Sequence, residues 1–200
     1  LGAGAEFQSG LEPPSWITAP YFVFVGNRSG YKDADVAFEA FALVAKSNPE
    51  LRLLLVGGGL LSTGELNTLQ TLGIASRVEQ RNVSNSDLPN VYSNALGLLY
   101  PTRYEGFGLP LLEAMASEIP VLCSNTEINR EIAGEAGNFF EVGNFEALSE
   151  LMALVIVGPG GFKDRLLLGK SRSKEFTWRR CAEITANSYR KLLESQRRQI

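Results

Sequence analysis

The chain has 200 residues, of which 44% are hydrophobic and 20% charged, with a formal net charge of −3. This size and composition suit one globular domain, and without a basic excess no extended nucleic-acid-binding surface is expected. The sequence contains no histidine, which excludes a histidine base, a Ser-His-Asp triad and a histidine metal site within it.

Residues 1–20 are rich in glycine, proline and alanine without a sustained period, which predicts an interdomain linker. From Tyr21 onward, short apolar runs alternate with helical patterns, namely "DADVAFEAFALVAKS", "STGELNTLQTLG", "DLPNVYSNA", "LPLLEAMAS" and "EINREIAG". This alternation predicts an α/β fold over residues 21–175: a Rossmann-like, doubly wound parallel sheet of about six strands with helices on both faces. Residues 176–200 have apolar positions near helical spacing and are predicted to form an amphipathic C-terminal helix.

The lengths of the apolar runs indicate whether the chain is expected to cross a membrane. The runs have strand length, well short of the roughly 20 residues of a membrane span, and no signal peptide is evident at the N-terminus. The two cysteines, Cys123 and Cys181, lie far apart and are expected to be buried, inert, unpaired thiols in a reducing compartment.

In a doubly wound sheet, ligands bind beyond the carboxyl ends of the strands, near the point where the strand order reverses. The loop after the first predicted strand, within "VGNRSGYKDAD", carries Arg28 and Lys32. These residues either contact a phosphate or are simply solvated residues of a turn. The triplet from Asp33 to Asp35 has the D-x-D form of some metal sites. Because it opens a predicted helix, where acidic residues are favourable, no metal site is predicted.

The loop after the second predicted strand, "VGGGLLSTG" from Val56 to Gly64, is glycine-rich. Dinucleotide-binding dehydrogenases also have a glycine loop after a strand, but the spacing here does not fit G-x-G-x-x-G. A dehydrogenase is therefore a weaker alternative, and the loop is expected to border a ligand pocket.

The segment "RYEGFGLPLLEAMA" follows a further predicted strand and places Glu105 and Glu113 eight positions apart. Pro110 suits the first turn of a helix, so a helix is predicted from Leu109 or Pro110. The glycine turn before it offers backbone amides to an anion. Amides for a phosphate and carboxylates for sugar hydroxyls suit a sugar nucleotide. Alternatively, the acidic residues only complement the helix N-terminus.

The same segment resembles the E-x7-E region of retaining glycosyltransferases of family four, in the form E-G-F-G-L-P-x-L-E-A-M-A. The resemblance extends to "VGNRSGYKDADVAFEAF", "IPVLCSN" and "FTW" and covers essentially the whole chain. Asp33 and Asn82 depart from the usual family residues, which affects the choice of donor more than the fold.

The resemblance implies that Arg28, Lys32 and Glu105 are catalytic: the two cations would neutralise the donor diphosphate, and Glu105 would bind the donor hexose. Glu113 would accept hydrogen bonds from the ribose hydroxyls. The full set implied to bind the nucleotide sugar is Gly26, Asn82, Val83, Gly106, Phe107, Gly108, Leu109 and Glu113.

The resemblance further implies the GT-B architecture, in which a separate N-terminal domain binds a saccharide or lipid-linked acceptor. A nucleoside-diphosphate sugar would be the co-substrate, without a metal or other cofactor. A cytoplasmic protein is implied, peripheral to the inner face of a membrane only through the other domain, and inactive as this fragment alone. The alternative from a different functional class is a non-catalytic module that binds a nucleotide sugar.

Overall fold

The computed structural model describes residues 2–197, and within this range six strands form one parallel sheet in the order β3-β2-β1-β4-β5-β6. All neighbouring strands run parallel. Strands β1 to β6 span Tyr21–Val25, Arg52–Val56, Val78–Arg81, Gly97–Tyr100, Val121–Ser124 and Gly137–Phe140. The predicted Rossmann-like sheet of about six strands is confirmed.

Helices follow the strands in the same range. Helices α1 to α8 span Ala34–Ala45, Thr63–Thr71, Leu88–Ser93, Leu109–Ala116, Glu127–Ala133, Phe145–Val157, Lys163–Ser173 and Trp178–Arg197. The sequence patterns predicted α1 to α5 and α8, but they did not delineate α6 and α7. Helix α4 begins at Leu109, as predicted.

Alternate side chains of each strand point to opposite faces of the sheet, and helices cover both faces. Phe22 and Phe24 of β1 belong to an apolar cluster with α1 and α6, whereas Tyr21 and Val23 belong to a second cluster with α3 and α4. The predicted placement of helices on both faces is therefore confirmed.

The strand order reverses between β1 and β4, which pair directly although β2 and β3 lie between them in sequence. Loops that leave the carboxyl ends of two such strands diverge and leave a crevice between them. Here these loops are residues 26–33 and 101–108, so the fold places the candidate site at their junction.

Residues 2–20 contain no helix or strand and pack along the domain. The ring of Phe7 meets that of Tyr92 edge to face, with centroids 5.7 Å apart, and the guanidinium of Arg81 lies 4.6 Å from the ring centroid of Trp16. These contacts fix the segment on this domain, and its role as a linker stays a prediction.

Helix α8 covers most of the predicted C-terminal helix, and residues 198–200 of that prediction lie outside the described residues. Among residues 2–197, no single helix combines the length and apolar character that a membrane crossing requires.

Candidate functional site

The loops that leave β1 and β4 are tied together by three polar contacts. The backbone amide of Arg103 donates to the carbonyl of Tyr31 at 2.8 Å, and Arg103 Nε lies 2.9 Å from Asp33 Oδ2. Lys32 Nζ lies 2.5 Å from Glu105 Oε1. Two of the predicted catalytic residues therefore meet directly at the reversal of strand order.

The Lys32–Glu105 ion pair is largely withdrawn from solvent. The two side chains are only 13% and 10% exposed, and Lys32 Nζ lies 5.2 Å from the ring centroid of Tyr100. Burial raises the pKa of Tyr100, and the nearby carboxylate of Glu105 adds to this effect. Because the local dielectric constant is lower than in water, charges here act more strongly on a ligand than surface charges do.

The glycine turn before α4 provides hydrogen-bond donors next to this pair. Gly108 is the N-cap residue of α4 with a φ of +100°, a conformation that favours glycine. Within residues 2–197, no acceptor is found for the backbone amides of residues 106–109. These amides, together with the N-terminus of α4, form a site suited to an oxyanion.

Glu113 lies one turn further along α4, and its Oε2 accepts a hydrogen bond from the hydroxyl of Tyr92 at 2.9 Å. Burial raises the pKa of Glu113; the hydrogen bond from Tyr92 opposes this, and the carboxylate of Glu6 adds to it. The ionised form of Glu113 is therefore destabilised in this environment, and additional hydrogen-bond donors would stabilise it.

Arg28, the third predicted catalytic residue, is enclosed by the loop between β2 and α2. Its side chain is 3% exposed, and Nε donates to Glu65 Oε1 at 2.6 Å. The other two nitrogens donate to the carbonyls of Gly57 at 2.7 Å, Gly59 at 2.9 Å and Leu60 at 3.1 Å. All three guanidinium nitrogens are thus engaged within the domain.

Sequence reasoning did not identify Glu65. Its only local signal is the spacing Ser-x-x-Glu from Ser62, and the two residues do form a capping box at the start of α2. Burial disfavours ionisation of Glu65, but hydrogen bonds from Ser62 and Arg28 outweigh it, and the pKa of Glu65 lies below its usual value. Glu65 therefore links the start of α2 to Arg28.

Gly58 and Gly59 provide a test of this arrangement, because both have positive φ, +71° and +73°. A Cβ at Gly58 would lie 2.6 Å from Arg28 Nη1 and 2.9 Å from the carbonyl oxygen of Gly26, whereas a Cβ at Gly59 meets nothing within 4 Å. Gly59→Ala should cost only the backbone strain, about 1–2 kcal/mol of unfolding free energy. Gly58→Ala should cost roughly 2–5 kcal/mol, since it also displaces the guanidinium.

Chemical denaturation of the two variants measures this difference. Equal costs at the two positions would contradict the close approach of Arg28 to the loop.

The remaining predicted residues are distributed along the same edge of the sheet. Gly26 follows β1 with a φ of +119°, and its Cβ position lies 3.9 Å from Lys32 Cε. Asn82 and Val83 follow β3, two strands away from β1. Asn82 accepts a hydrogen bond from Gln80 at 3.2 Å. They are not brought into contact with the Lys32–Glu105 pair.

No cluster of three or more potential metal ligands occurs in the part of the chain that the structure describes. Asp33 of the D-x-D triplet is paired with Arg103, and Asp35 lies in the first turn of α1. Cys123 and Cys181 are both unpaired, as predicted. Cys123 is buried, and burial raises its pKa, but Cys181 is only half-buried, so the predicted burial is wrong for Cys181.

The family of glycosyl transferases group 1 matches residues 15–171, which is most of the chain. The chain belongs to this family. The match includes both loops of the crevice and the glycine turn before α4, so the predicted resemblance to glycosyltransferases is confirmed at the level of group 1.

Two curated relatives of this group 1 domain are much longer than the segment that matches it. It is 36% identical over 110 residues to O-antigen chain mannosyltransferase B of Escherichia coli, which covers 55% of this chain and 29% of that protein. It is 27% identical over 201 residues to D-inositol 3-phosphate glycosyltransferase of Segniliparus rotundus, covering 96% of this chain and 43% of that protein. The chain spans less than half of either relative.

Solved structures of other glycosyltransferases share the fold. Sucrose-phosphate synthase of Thermosynechococcus elongatus superposes with a TM-score of 0.78 at 22% identity, covering 97% of this chain and 52% of that one. A C-terminal domain of a group 1 protein, LpcC of Francisella tularensis, has a TM-score of 0.71 at 18% identity, covering 85% and 95% of the two chains. S. aureus TarM, solved with UDP, has a TM-score of 0.75 at 15% identity, covering 90% and 37%.

Proposed function

We propose that this group 1 domain is the donor-binding half of a retaining GT-B glycosyltransferase of family four. It would transfer a hexose from a nucleoside-diphosphate sugar to a saccharide or lipid-linked acceptor. The observation that carries the proposal is the convergence of the Lys32–Glu105 pair and the glycine turn of α4 at the reversal of strand order. The near-complete overlap with a solved C-terminal domain supports its assignment as the C-terminal half.

In the proposed reaction, the bond between the sugar C1 and the diphosphate oxygen breaks, and its electron pair stays on the diphosphate. The acceptor hydroxyl oxygen bonds to C1 from the same face of the sugar, and its proton passes to the departing diphosphate oxygen. Lys32 and the amides of residues 106–109 would stabilise the negative charge that develops on the leaving group, an effect worth several kcal/mol when the donors are preorganised. Glu105 would accept a hydrogen bond from a hexose hydroxyl, and Glu113 from the ribose hydroxyls.

Arg28 stays a predicted ligand of the diphosphate, and its contacts support a second role. Because it donates to the carbonyls of all four residues 57–60 and to Glu65, we assign Arg28 to holding the β2–α2 loop beside the donor. Asn82 and Val83, at the end of β3, would approach the base.

The two curated relatives are more than twice as long as the segment that matches this chain, which supports the proposal that a separate N-terminal domain binds the acceptor. This chain alone should therefore bind donor but not turn it over. The complete protein would act in the cytoplasm, at a membrane only through its other domain, and without a metal.

A thermal-shift panel with UDP, GDP, ADP, sugar nucleotides and NAD tests the proposal on this chain. A ligand at a hundredfold its Kd adds about 2.7 kcal/mol to the free energy of unfolding, or roughly 5–11 °C in Tm for a domain of this size. One nucleoside-diphosphate series should raise Tm, and NAD should not. A response to NAD alone would favour a dehydrogenase. A complete protein that binds donor but never transfers sugar would be a binding module.

Glu113→Gln should separate ligand binding from stability. Glutamine can still accept the Tyr92 hydrogen bond and carries no charge to bury, so the Tm at neutral pH should be unchanged or higher. The raised pKa of Glu113 destabilises the folded state as pH rises above the unfolded pKa of about 4.3, so the gain should shrink toward pH 4. Nucleotide affinity should fall about tenfold or more.

Denaturation curves at several pH values and nucleotide titrations measure the two effects. Unchanged nucleotide affinity in Glu113→Gln would remove Glu113 from the proposed site.

A further inference from the structure

Two stacked tyrosines, Tyr31 and Tyr104, lie beside the Lys32–Glu105 pair. The rings of Tyr31 and Tyr104 are stacked, with centroids 4.5 Å apart and an interplanar angle of 29°. Lys32 Nζ lies 5.5 Å from the ring centroid of Tyr31 and 5.2 Å from that of Tyr100. The exposed fraction rises from 2% at Tyr100 to 37% at Tyr31 and 64% at Tyr104.

Tyr104 is the outermost ring and presents an open face. One face of this ring is covered by Tyr31, yet most of the residue remains accessible, so the opposite face is turned to solvent. The stacked neighbour also restricts the orientation of the ring, which lowers the entropy lost when a ligand settles on it. Tyr31 immediately precedes Lys32, and Tyr104 immediately precedes Glu105. This adjacency fixes the two rings relative to the Lys32–Glu105 pair.

The chemistry of this surface suits a pyranose ring. Such a ring offers an apolar face of C–H groups that can pack on an aromatic ring, and hydroxyls at its rim for hydrogen bonds. A nucleobase could stack as well, but the proposed base site at Asn82 and Val83 lies two strands from β1. The donor hexose is proposed to meet Glu105, whose side chain is largely buried, whereas Tyr104 lies in the outer, solvent-exposed layer.

We propose that Tyr104 is a stacking platform for a pyranose ring of the acceptor saccharide, with Tyr31 as its positioning residue. This inference rests on the proposed function, because it takes the buried Lys32–Glu105 pair to be the donor side of the site. It assigns to this domain a part of the acceptor site, alongside whatever the other domain contributes.

Saturation-transfer NMR on the 200-residue chain, with methyl α-D-mannopyranoside and maltose as probes, tests the platform. Saturation should concentrate on the C–H groups of one sugar face. Tyr104→Ala should weaken binding about two- to tenfold, while Tyr104→Phe and Tyr104→Trp should keep it. Tyr31→Ala should have a smaller effect in the same direction. Tyr189→Ala, which removes a similarly exposed ring from α8, is the matched control and should have no effect.

Parallel titrations with UDP and GDP distinguish this inference from the proposed function. If Tyr104 is a sugar-stacking platform, the Tyr104→Ala variant should bind UDP or GDP with the same affinity as the wild type. Loss of both sugar and nucleotide binding would show that the ring only supports the loop, and would overturn the platform. Wild-type chain that binds nucleotide but neither sugar, or equal sugar binding by wild type and Tyr104→Ala, would also overturn it. Absence of nucleotide binding would count against the proposed function instead.

Discussion

Lys32→Ala should lower kcat/KM of the complete enzyme by about 10²- to 10³-fold, the usual consequence of removing one preorganised group that stabilises developing charge. The reason is the position of the ammonium, which is largely buried and fixed by Glu105 at the crevice. Steady-state kinetics with the donor identified by the nucleotide panel measure the effect. Lys46→Ala, at the exposed end of α1, is the control and should leave kcat/KM unchanged.

The same substitution also leaves Glu105 without its cation, so part of any loss could reflect instability. An unpaired carboxylate at this burial should cost about 1–3 kcal/mol of unfolding free energy. The double variant Lys32→Ala, Glu105→Gln removes that charge and should recover much of the stability but none of the activity. Recovery of activity in the double variant would show that Lys32 serves only to neutralise Glu105.

Arg28→Ala should reduce the unfolding free energy by about 3–5 kcal/mol, which corresponds to a fall in Tm of roughly 6–20 °C. The substitution strands the Glu65 carboxylate and removes the donors from the carbonyls of Gly57, Gly59 and Leu60. Arg179→Ala removes an arginine from a largely exposed pair with Glu183 and should cost less than 1 kcal/mol. Similar costs for the two variants would contradict the role assigned to Arg28.

The pH dependence provides a second measurement of the same contact. The folded pKa of Glu65 is depressed, so its contribution to stability is present above the unfolded pKa of about 4.3 and is lost as pH falls through the folded pKa. The stability difference between wild type and Glu65→Gln should therefore be largest near neutral pH and should vanish in acid. Urea denaturation across this range measures the difference.

The architecture was accessible from the sequence because short apolar runs and helical patterns alternate strongly through most of the chain. Helices α6 and α7 were not delineated, for local reasons. The segment "LMALVIV" in α6 is apolar on nearly all sides and gives no clear helical period. In α7, Gly169 interrupts the helical pattern. The reason for a glycine here is visible only in the structure, where a Cβ at this position would lie 3.1 Å from Met115 Cγ.

The candidate site shows where prediction from sequence ends. Loop position and the family resemblance identified Lys32 and Glu105 individually, but their pairing across 73 positions depends on the sheet order. Arg28 was likewise recognisable as a basic residue after β1. Its acceptors are mostly backbone carbonyls, which every residue possesses, so no residue type in the sequence could reveal them.

The Lys32–Glu105 pair has a consequence for how substrate and product compete in the proposed reaction. An intact nucleotide sugar would offer phosphate oxygens to the ammonium of Lys32 and a sugar hydroxyl to the carboxylate of Glu105. Each of the two side chains would then exchange its partner in the ion pair for a group of the donor. The nucleoside diphosphate left after transfer would engage Lys32 alone and would draw it from a carboxylate that is only 10% exposed. Departure of the nucleoside diphosphate would restore the Lys32–Glu105 ion pair, which would favour clearance of the site after each transfer.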